Sequence, residues 1–475
     1  MKKLFLKLIV VMFTTIICTG FISCGGDDND IHENSTNPID PVEPSKDDNM
    51  SPEDRKEYLE TVALEFMDMM PASDFRDISE LGKYINDTYL QNYNWENVEE
   101  WAEDIFNALR ESTGQTTESE TESWGDYLYK YNYFYTNYKV LLTASNFTGH
   151  FTALNGHWVL EKANDLQFVF KDKNGKQCIL KLETSGNIKK VHAYDIDDWK
   201  DYDYYYDVSD NSYINNEYYD RTQCTIGVPE RIEVTLTQNG NQIVKTTVKI
   251  NLDNINGEEF DISKNDLTTS VLIELNNGYK FDFSNIVYSA NTKASVSFIM
   301  SKNGRPLLTM GAAADLNDLP SVNLSAFSSQ SFDIDDYCFD DASVKNGYVK
   351  VDVIGKVQIQ GSISDVRKYV NCLQKADDNY TYETTFKSYI NQANAITDIF
   401  VFYDGKNTKQ AEVRLESFYS GYSWDAEPVI YFYDGSSYST FKAYINENDF
   451  TKAIDTFKRL ANKYADLIDE RIKWR

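Results

Sequence analysis

The sequence predicts an α+β protein in which an N-terminal helical segment precedes an extensive antiparallel β-sheet with hairpins, followed by a C-terminal helix. Three observations predict this class: apolar residues recur at helical spacing near the start, alternate with polar residues through the middle, and return to helical spacing near the end. The 475 residues exceed the usual size of one hydrophobic core, so we expect two or three units.

Residues 51–112 form the predicted helical segment. Ser51 is a favourable N-cap, and Pro52 stands at the first helical position, where a missing N–H group does no harm. One apolar face follows at helical spacing, made by Leu59, Val62, Ala63, Phe66 and Met70. Pro71 ends this first helix, and the polar stretch 113–123 marks a boundary.

Residues 125–361 form the predicted antiparallel β region. Every second residue from Tyr127 to Tyr135 is tyrosine, which is typical of a half-buried strand. Asn-Gly dipeptides suit tight hairpin turns because both residues tolerate positive φ. They lie between alternating apolar runs at Asn155-Gly156, Asn174-Gly175, Asn239-Gly240, Asn277-Gly278, Asn303-Gly304 and Asn346-Gly347.

Residues 362–475 form a predicted α+β region. Helical spacing covers 364–394, and the run Phe-Tyr-Asp-Gly occurs twice, at the ends of 399–405 and 429–435, which predicts a repeated hairpin. The last helix is capped by Asn448 or Asp449. Its apolar stripe is Phe450, Ala453, Phe457, Leu460, Tyr464, Leu467 and Ile468.

The first 23 residues have the organisation of a secretory signal. Lys2, Lys3 and Lys7 precede an apolar run from Leu8 to Cys18, which is too short to span a bilayer. The following residues, Phe-Ile-Ser-Cys24-Gly-Gly, resemble the lipobox of bacterial lipoproteins. The resemblance implies cleavage before Cys24 and attachment of diacylglycerol to its thiol, although Phe stands where that family usually has Leu. The alternative is an ordinary secreted protein cut near this point.

Residues 24–50 form a predicted flexible tether. The segment is rich in Asp, Glu and Pro and has too few apolar groups to fold alone. Acidic residues directly after Cys24 resemble the surface-export signal of Bacteroidetes lipoproteins. That resemblance implies a lipid-anchored protein of the outer membrane that faces the cell exterior, whereas a solvated linker on a periplasm-facing lipoprotein is the alternative.

The charge of the chain excludes one class of partner. It carries 46 basic and 75 acidic residues, a net charge of -29, and it lacks basic patches interleaved with aromatics. An anion this strong repels nucleic acid, so nucleic-acid binding is excluded. Four further cysteines leave the disulfide pattern open: Cys178, Cys224, Cys338 and Cys372.

The segment 194–220 interleaves carboxylates with aromatic rings and is predicted to be a loop. Trp199, Tyr202, Tyr204 and Tyr206 are candidate ligand-binding residues, because rigid rings supply contact area at low entropy cost. The candidate calcium ligands are Asp197, Asp201 and Asp203, although the EF-hand spacing fails. A second acidic cluster also lacks the EF-hand spacing: Asp333, Asp335, Asp336, Asp340 and Asp341.

Other chemistry has few candidate residues. His150, His157 and His192 are possible metal ligands if their strands are neighbours, but histidines on strands more often pack. No catalytic motif is present, and no catalytic residue is assigned. The sequence therefore favours a non-catalytic binding, adhesion or assembly module whose ligand is a glycan or an envelope protein. The alternatives are a carbohydrate-active enzyme that uses an Asp/Glu pair and a structural envelope lipoprotein without a small ligand.

Overall fold

A computed structural model describes residues 50–125, 128–255, 257–261, 263–317, 321, 343–434, 437–439 and 450–467. Its body is mostly β-sheet, with helices before the sheet and one near the C-terminus, so the predicted order of elements is confirmed. Several predicted features lie outside the described residues: Cys24 and its tether, Cys338, the acidic cluster at 333–341, the caps Asn448 and Asp449, and Ile468.

The N-terminal segment is helical as predicted. It contains α1 (Pro52–Met69), a 3-10 turn (Ala72–Asp74), α2 (Arg76–Ile85), a π-helical turn (Asn86–Leu90) and α3 (Glu96–Glu111). The Ser51 hydroxyl accepts the Asp54 N–H at 3.2 Å, and the Asp54 carboxylate accepts the Ser51 N–H at 3.1 Å. This reciprocal pair satisfies free N–H groups at the start of α1 and fixes where the helix begins.

Eighteen strands belong to one sheet within the described residues. The first nine are β1 (Thr116–Trp124), β2 (Tyr129–Leu142), β3 (Gly149–Leu154), β4 (His157–Glu161), β5 (Leu166–Lys171), β6 (Gln177–Asp207), β7 (Ser212–Gln238), β8 (Asn241–Asp253) and β9 (Asp266–Leu275). The next five are β10 (Tyr279–Ser289), β11 (Lys293–Lys302), β12 (Arg305–Asn317), β13 (Ser343–Val353) and β14 (Val357–Ile363). After α4 (Val366–Asp377) and α5 (Glu383–Asn394) come β15 (Thr397–Tyr403), β16 (Ala411–Tyr419), β17 (Trp424–Tyr431), β18 (Ser437–Ser439) and α6 (Thr451–Leu467).

The sheet is antiparallel except at two pairings. β2 runs parallel to β7, and β3 runs parallel to β5, and these two pairings are the exceptions in the predicted extensive antiparallel sheet, which is confirmed. The alternating pattern identifies a strand, but it does not say which strand is its neighbour or in which direction that neighbour runs. From β8 to β18 each strand pairs antiparallel with the next strand along the chain, including β14 and β15, between which α4 and α5 are inserted.

β7 changes its neighbour part-way along its length. Residues 231–238 pair with β8, whereas residues 213–226 pair with β2, and β6 lies along its other edge at both levels. Four strand segments therefore lie side by side beyond the part of the sheet that contains β8. Their order is β1, β2, residues 212–226 of β7 and residues 194–207 of β6. We name these four segments the extension.

Two segments predicted as irregular are strands of the extension. The polar stretch 113–123 contains β1, whose nine residues are all exposed, and 194–220 is a long β-hairpin whose tip lies near 208–211. Neither segment has the apolar alternation of a strand with one buried face. Their backbones are ordered by hydrogen bonds to neighbouring strands, which the residue types do not reveal.

Most of the predicted Asn-Gly turns lie between strands, and one is wrong. Asn155, Asn239 and Asn303 adopt φ of 51, 48 and 52° in hairpin turns, as the dipeptide predicts. Asn346-Gly347 instead lies inside β13, where a Cβ on Gly347 would meet Val366 Cγ2 at 2.7 Å. Glycine is needed there because α4 approaches the strand closely, and the turn after β13 is made by Ile354 and Gly355.

One large core joins the N-terminal helices, α6 and the sheet. Trp158 of β4 is 1% exposed and packs against Trp95 at 5.1 Å and Phe168 at 5.3 Å between ring centroids. At the other end, Tyr464 of α6 donates its hydroxyl to the Met70 carbonyl at 3.0 Å. The N-terminal helices and α6 are therefore packed together on the same sheet.

The C-terminal region continues this sheet. The phenylalanine of each Phe-Tyr-Asp-Gly run is buried at the end of a strand. Phe402 is the penultimate residue of β15, and Phe432 directly follows β17. β15 pairs antiparallel with β16, and β17 with β18. α4 and α5 occupy the predicted helical stretch 364–394.

Candidate functional site: an exposed aromatic face

The four rings predicted on β6 project from one face of the extension. A β-bulge between Trp199 and Asp201 changes the alternation, so Trp199 pairs with Tyr219 and Tyr202 pairs with Glu217. Tyr204 and Tyr206 follow at every second position. Without the bulge, Trp199 and the three tyrosines would point to opposite faces.

Neighbouring strands add rings to the same face. Tyr213 and Tyr219 on β7 pair with Tyr129 and Tyr135 on β2, and Trp124 of β1 pairs with Tyr129. Paired residues project from the same side of a sheet. The aromatic face, as we name it, comprises Trp124, Tyr129, Tyr131, Tyr133, Tyr135, Trp199, Tyr202, Tyr204, Tyr206, Tyr213 and Tyr219.

The rings contact each other and remain open to solvent. Tyr213 lies between Tyr129 and Tyr204, with centroid distances of 5.3 and 5.9 Å and nearly parallel planes. Trp199 and Tyr202 lie 6.3 Å apart and are 57% and 58% exposed. Mutual contact holds the rings in fixed positions, which lowers the entropy cost of binding through them.

The opposite face of the extension is anchored to the body near its base. There Phe106 of α3 packs with Val140 and Cys224 in a small buried cluster. Asp220 is 2% exposed and forms an ion pair with Arg110 of α3. A second ion pair joins it to Lys200 at 2.6 Å. A buried carboxylate needs such partners, so the ion pair between Arg110 and Asp220 fixes the extension to α3.

Carboxylates accompany the rings along the edge of the aromatic face. Glu118, Glu120 and Glu122 of β1 pair with Tyr135, Tyr133 and Tyr131 of β2, which places each glutamate beside a ring. All three are exposed, and no lysine or arginine among the described residues forms an ion pair with them. This edge is therefore acidic and aromatic together.

Glu217 occupies the middle of the face. It accepts a hydrogen bond from the Tyr219 hydroxyl, and this bond, followed by burial, raises the pKa of Tyr219 to about 12. Burial, then the charges of Glu122 and Glu217, raises the pKa of Tyr133. Tyr133 and Tyr219 therefore stay neutral at physiological pH.

One cation of the chain is already bound on this face. The Arg221 guanidinium lies 4.0 Å from the centre of the Tyr135 ring and donates two hydrogen bonds of 2.9 Å to the Asp197 carboxylate. These bonds to Asp197 outweigh burial and raise the pKa of Arg221, so the group is always charged. Tyr135 and Asp197 thus show how this surface binds a guanidinium.

The three predicted calcium ligands are not brought together. Asp197 lies on the aromatic face with Arg221, whereas Asp201 and Asp203 follow the bulge and project from the opposite face. Asp203 accepts a hydrogen bond from the Tyr218 hydroxyl at 3.2 Å. Among the described residues, no group of three or more His, Cys, Asp or Glu side chains is arranged to hold a metal ion.

The three histidines are also apart. His150 pairs with Asp165 at 2.7 Å, and His157 is exposed at the start of β4. His192 is buried on β6, where Nδ1 lies 2.8 Å from Glu259 and Nε2 lies 3.0 Å from Asp195. Their separation does not support the prediction of a shared metal site, because β3 and β4 are neighbours but β6 is not adjacent to either.

The cysteines of the described region do not form disulfides. Cys178, Cys224 and Cys372 are free and buried in different parts of the protein. Burial raises the pKa of the Cys178 and Cys224 thiols to about 11, so both are unreactive thiols at neutral pH. These residues pack as small apolar groups and take no part in the candidate site.

The sequence indicated only part of this surface. The alternating tyrosines of β2 predict a strand, but nothing in the sequence says that β2 lies beside β7 and presents its odd-numbered rings on the same face as those of β6. The glutamates of β1 lie in the polar stretch 113–123, which the sequence predicts to be a boundary between the helical segment and the β region. Their spacing at every second residue was the one signal that could have placed Glu118, Glu120 and Glu122 on a strand.

Comparison of the chain with protein-family models, with curated proteins and with solved structures gives no match in any of the three. Within the described ranges, no helix combines the length and the apolar character needed to cross a bilayer. The geometry of the aromatic face and the sequence of the N-terminus are therefore the two features of this protein that bear on its function.

Proposed function

We propose that this α+β protein is a lipid-anchored outer-membrane lipoprotein that faces the cell exterior and acts as a non-catalytic binding module through its aromatic face. The observation that carries the proposal is the gathering of eleven rings from four strands on one exposed or half-buried surface. Large exposed aromatic patches are typical of interaction sites.

Folding alone does not account for these rings. Burial of a large apolar side chain contributes about 1.5–3 kcal/mol, and much of that contribution is lost when the ring stays in water. The opposite face of the extension already supplies the buried contacts that attach it to α3, including Phe106 and Val140. The cross-strand ring contacts of this face contribute only about 0.2–1 kcal/mol each to the sheet, so the concentration of Tyr and Trp on an open surface favours a binding role.

The membrane part of the proposal depends on Cys24. Two or three acyl chains at this residue make an anchor that is effectively permanent, and the acidic tether then holds the body away from the bilayer. Intact mass of the native protein should show an acylated Cys24 at the amino terminus. Protease treatment of intact cells should release the folded region, and its protection would contradict the outward orientation.

The aromatic face is tested with a combined variant, Trp199→Ala, Tyr202→Ala, Tyr204→Ala and Tyr206→Ala. A matched control removes four exposed rings from another part of the sheet and the α4–α5 region: Tyr380→Ala, Tyr382→Ala, Tyr419→Ala and Tyr422→Ala. Both variants are assayed against a panel of polysaccharides and by cross-linking to envelope proteins on intact cells. We expect the first variant to lose the bound ligand at least ten-fold, and the control to keep it.

Catalysis is the result that would change the assignment. If purified protein hydrolyses a polysaccharide, and substitution of one Asp or Glu abolishes turnover, the protein is a carbohydrate-active enzyme. Equal binding by both four-ring variants and the unmodified protein would instead remove the aromatic face from the function. A structural lipoprotein would then be the remaining class.

A further inference from the structure

We infer that the occupant of the aromatic face is a basic, extended polypeptide segment of a partner protein, which pairs with the free edge of β1 and places alternate Arg or Lys side chains beside Glu118, Glu120 and Glu122. The inference rests on the proposed binding function and names the chemistry of its ligand. Four observations on the described residues support it, and each concerns a different property of the surface.

The first observation is the cation that the face already binds. Arg221 is bound by the ring of Tyr135 at 4.0 Å and by two bonds of 2.9 Å to Asp197. A ring and a carboxylate together attract a guanidinium by a cation–π contact and by charge-assisted hydrogen bonds. The same surface chemistry would bind an arginine from another chain.

The second observation is that the same pair of groups recurs nearby without a directly bound cation, although Arg221 acts on Glu120 electrostatically from a greater distance. Glu122 pairs with Tyr131, and Glu120 pairs with Tyr133, which has Glu217 on its other side. No lysine or arginine of the described chain forms an ion pair with Glu120 or Glu122. These two positions therefore offer a ring and a carboxylate to an incoming cation.

The third observation is the open edge of β1. Within the described residues the register of β1 is with β2 alone, and β10 pairs with β9 and β11, so the backbone N–H and C=O groups on the other edge of β1 have no strand partner. An edge of this kind accepts an extended peptide as an added strand. Charged residues on an edge strand oppose pairing of two identical copies, since like charges would face each other.

The fourth observation is the match in spacing and charge. The three glutamates stand at every second residue of β1, which is the period of side chains on one face of an added strand. A net charge of -29 repels an acidic partner and attracts a basic one. The protein's own tether is acidic and is therefore excluded as the occupant. A polypeptide fits better than a small amine, because only a polypeptide uses the β1 edge as well.

Peptide binding tests the inference on the full-length protein. The probe is a nine-residue peptide of alternating Arg and Thr, as long as β1, and the control probe has Glu in place of Arg. We expect the basic peptide to bind, to bind more weakly as salt is raised, and the acidic peptide not to bind. Methylation of the peptide's backbone nitrogens on one edge should weaken binding at least ten-fold. Unchanged binding of the methylated peptide would overturn strand addition.

Matched variants locate the binding. The combined change Glu118→Gln, Glu120→Gln and Glu122→Gln keeps the size of each exposed side chain and should weaken binding of the basic peptide about ten-fold or more. The control Glu57→Gln, Asp68→Asn and Glu100→Gln removes the same charge from exposed helix positions and should change the Kd less than about two-fold. Equal weakening in both variants would overturn the inference, because binding would then follow net charge alone.

Failure of this inference can be distinguished from failure of the proposed function. If the ligand found on cells is lost from the Trp199→Ala, Tyr202→Ala, Tyr204→Ala, Tyr206→Ala variant but retained by the three-glutamine variant, the aromatic face binds something other than a basic strand. If both variants retain the ligand, the proposed function fails as well.

Discussion

The body and the extension are both built from strands with alternating side chains, but aromatic rings are buried in the core of the body and open to solvent on the aromatic face of the extension. In the body, Trp158 of β4 is 1% exposed under α3 and neighbouring rings, whereas in the extension Trp199 of β6 is 57% exposed. Both tryptophans lie on strands with a period of two. The difference teaches that burial of a ring depends on whether a second layer packs on that face, which the strand pattern does not specify.

The two regions also differ in what their charged groups do. In the body and at the base of the extension, buried charges hold elements together: Glu60 of α1 accepts the Ala453 N–H of α6 at 3.0 Å, and Arg110 binds Asp220. On the aromatic face the carboxylates are open to solvent. Charges in the first group should matter for stability, and those in the second for binding. Four predictions test this contrast.

The largest effect is expected from Trp158→Ala. Removal of a fully buried ring leaves a cavity and should lower the free energy of unfolding by about 3–5 kcal/mol. The matched change Trp199→Ala should alter it by less than about 0.5 kcal/mol, since an exposed ring makes little contribution to the core. Chemical denaturation of both variants measures this difference. Similar losses in the two variants would show that the aromatic face is part of the folding core.

Arg110→Ala should have the next largest effect. It leaves the buried Asp220 carboxylate with Lys200 alone and removes the contact between Arg110 and the Tyr138 ring at 4.4 Å. We expect a loss of about 2–3 kcal/mol, with faster amide exchange concentrated in the extension. Lys130→Ala, which removes an exposed ion pair with Asp210 near the hairpin tip, is the control and should have little effect. Uniform exchange throughout the chain would contradict a local anchoring role.

Glu60→Ala should lower stability by about 1–2 kcal/mol. The variant leaves the Ala453 N–H at the start of α6 without its acceptor, in a site that excludes water. Glu60→Gln retains an oxygen acceptor and should recover part of the loss. Thermal unfolding of the pair checks the prediction, and identical values for Ala and Gln would show that the hydrogen bond contributes nothing.

The smallest effect is a dependence on pH at His192. Burial lowers the pKa of this imidazole, but hydrogen bonds to Glu259 and Asp195 outweigh burial, so the net pKa is raised above 6.5. A raised pKa means that charged His192 stabilises the fold fully below about pH 6.5, and that this contribution is lost as pH rises through the folded-state value.

The variant His192→Gln measures that contribution. The difference in Tm between unmodified protein and His192→Gln should be larger at pH 5.5 than at pH 8.5, because the charged imidazole contributes stability only at the lower pH. His157→Gln is the control, because His157 is exposed on β4 and has no ion pair among the described residues. A difference that grows with rising pH would reverse the assigned sign.

Local features were predicted well, and contacts between distant residues were not. Ser51 and Pro52 mark the start of α1, and Asn155, Asn239 and Asn303 adopt the positive φ that their dipeptides require. Asn346-Gly347 has the same local signal, yet it lies in β13, because the approach of α4 and not a turn requires the glycine. An Asn-Gly dipeptide permits a positive φ, but contacts with the surrounding structure determine whether a turn forms there.

The order of the amino acids is sufficient to predict the helices near both ends, the strand-rich middle, the strongly acidic charge and the tyrosines at alternate positions. Each of these follows from periodicity or composition, which are properties of neighbouring residues. The parallel pairing of β2 with β7, and the bulge after Trp199 that brings four rings to one side, are visible only in the folded chain. Pairing partners and covering layers depend on contacts between residues far apart in the chain, and no local pattern encodes those contacts.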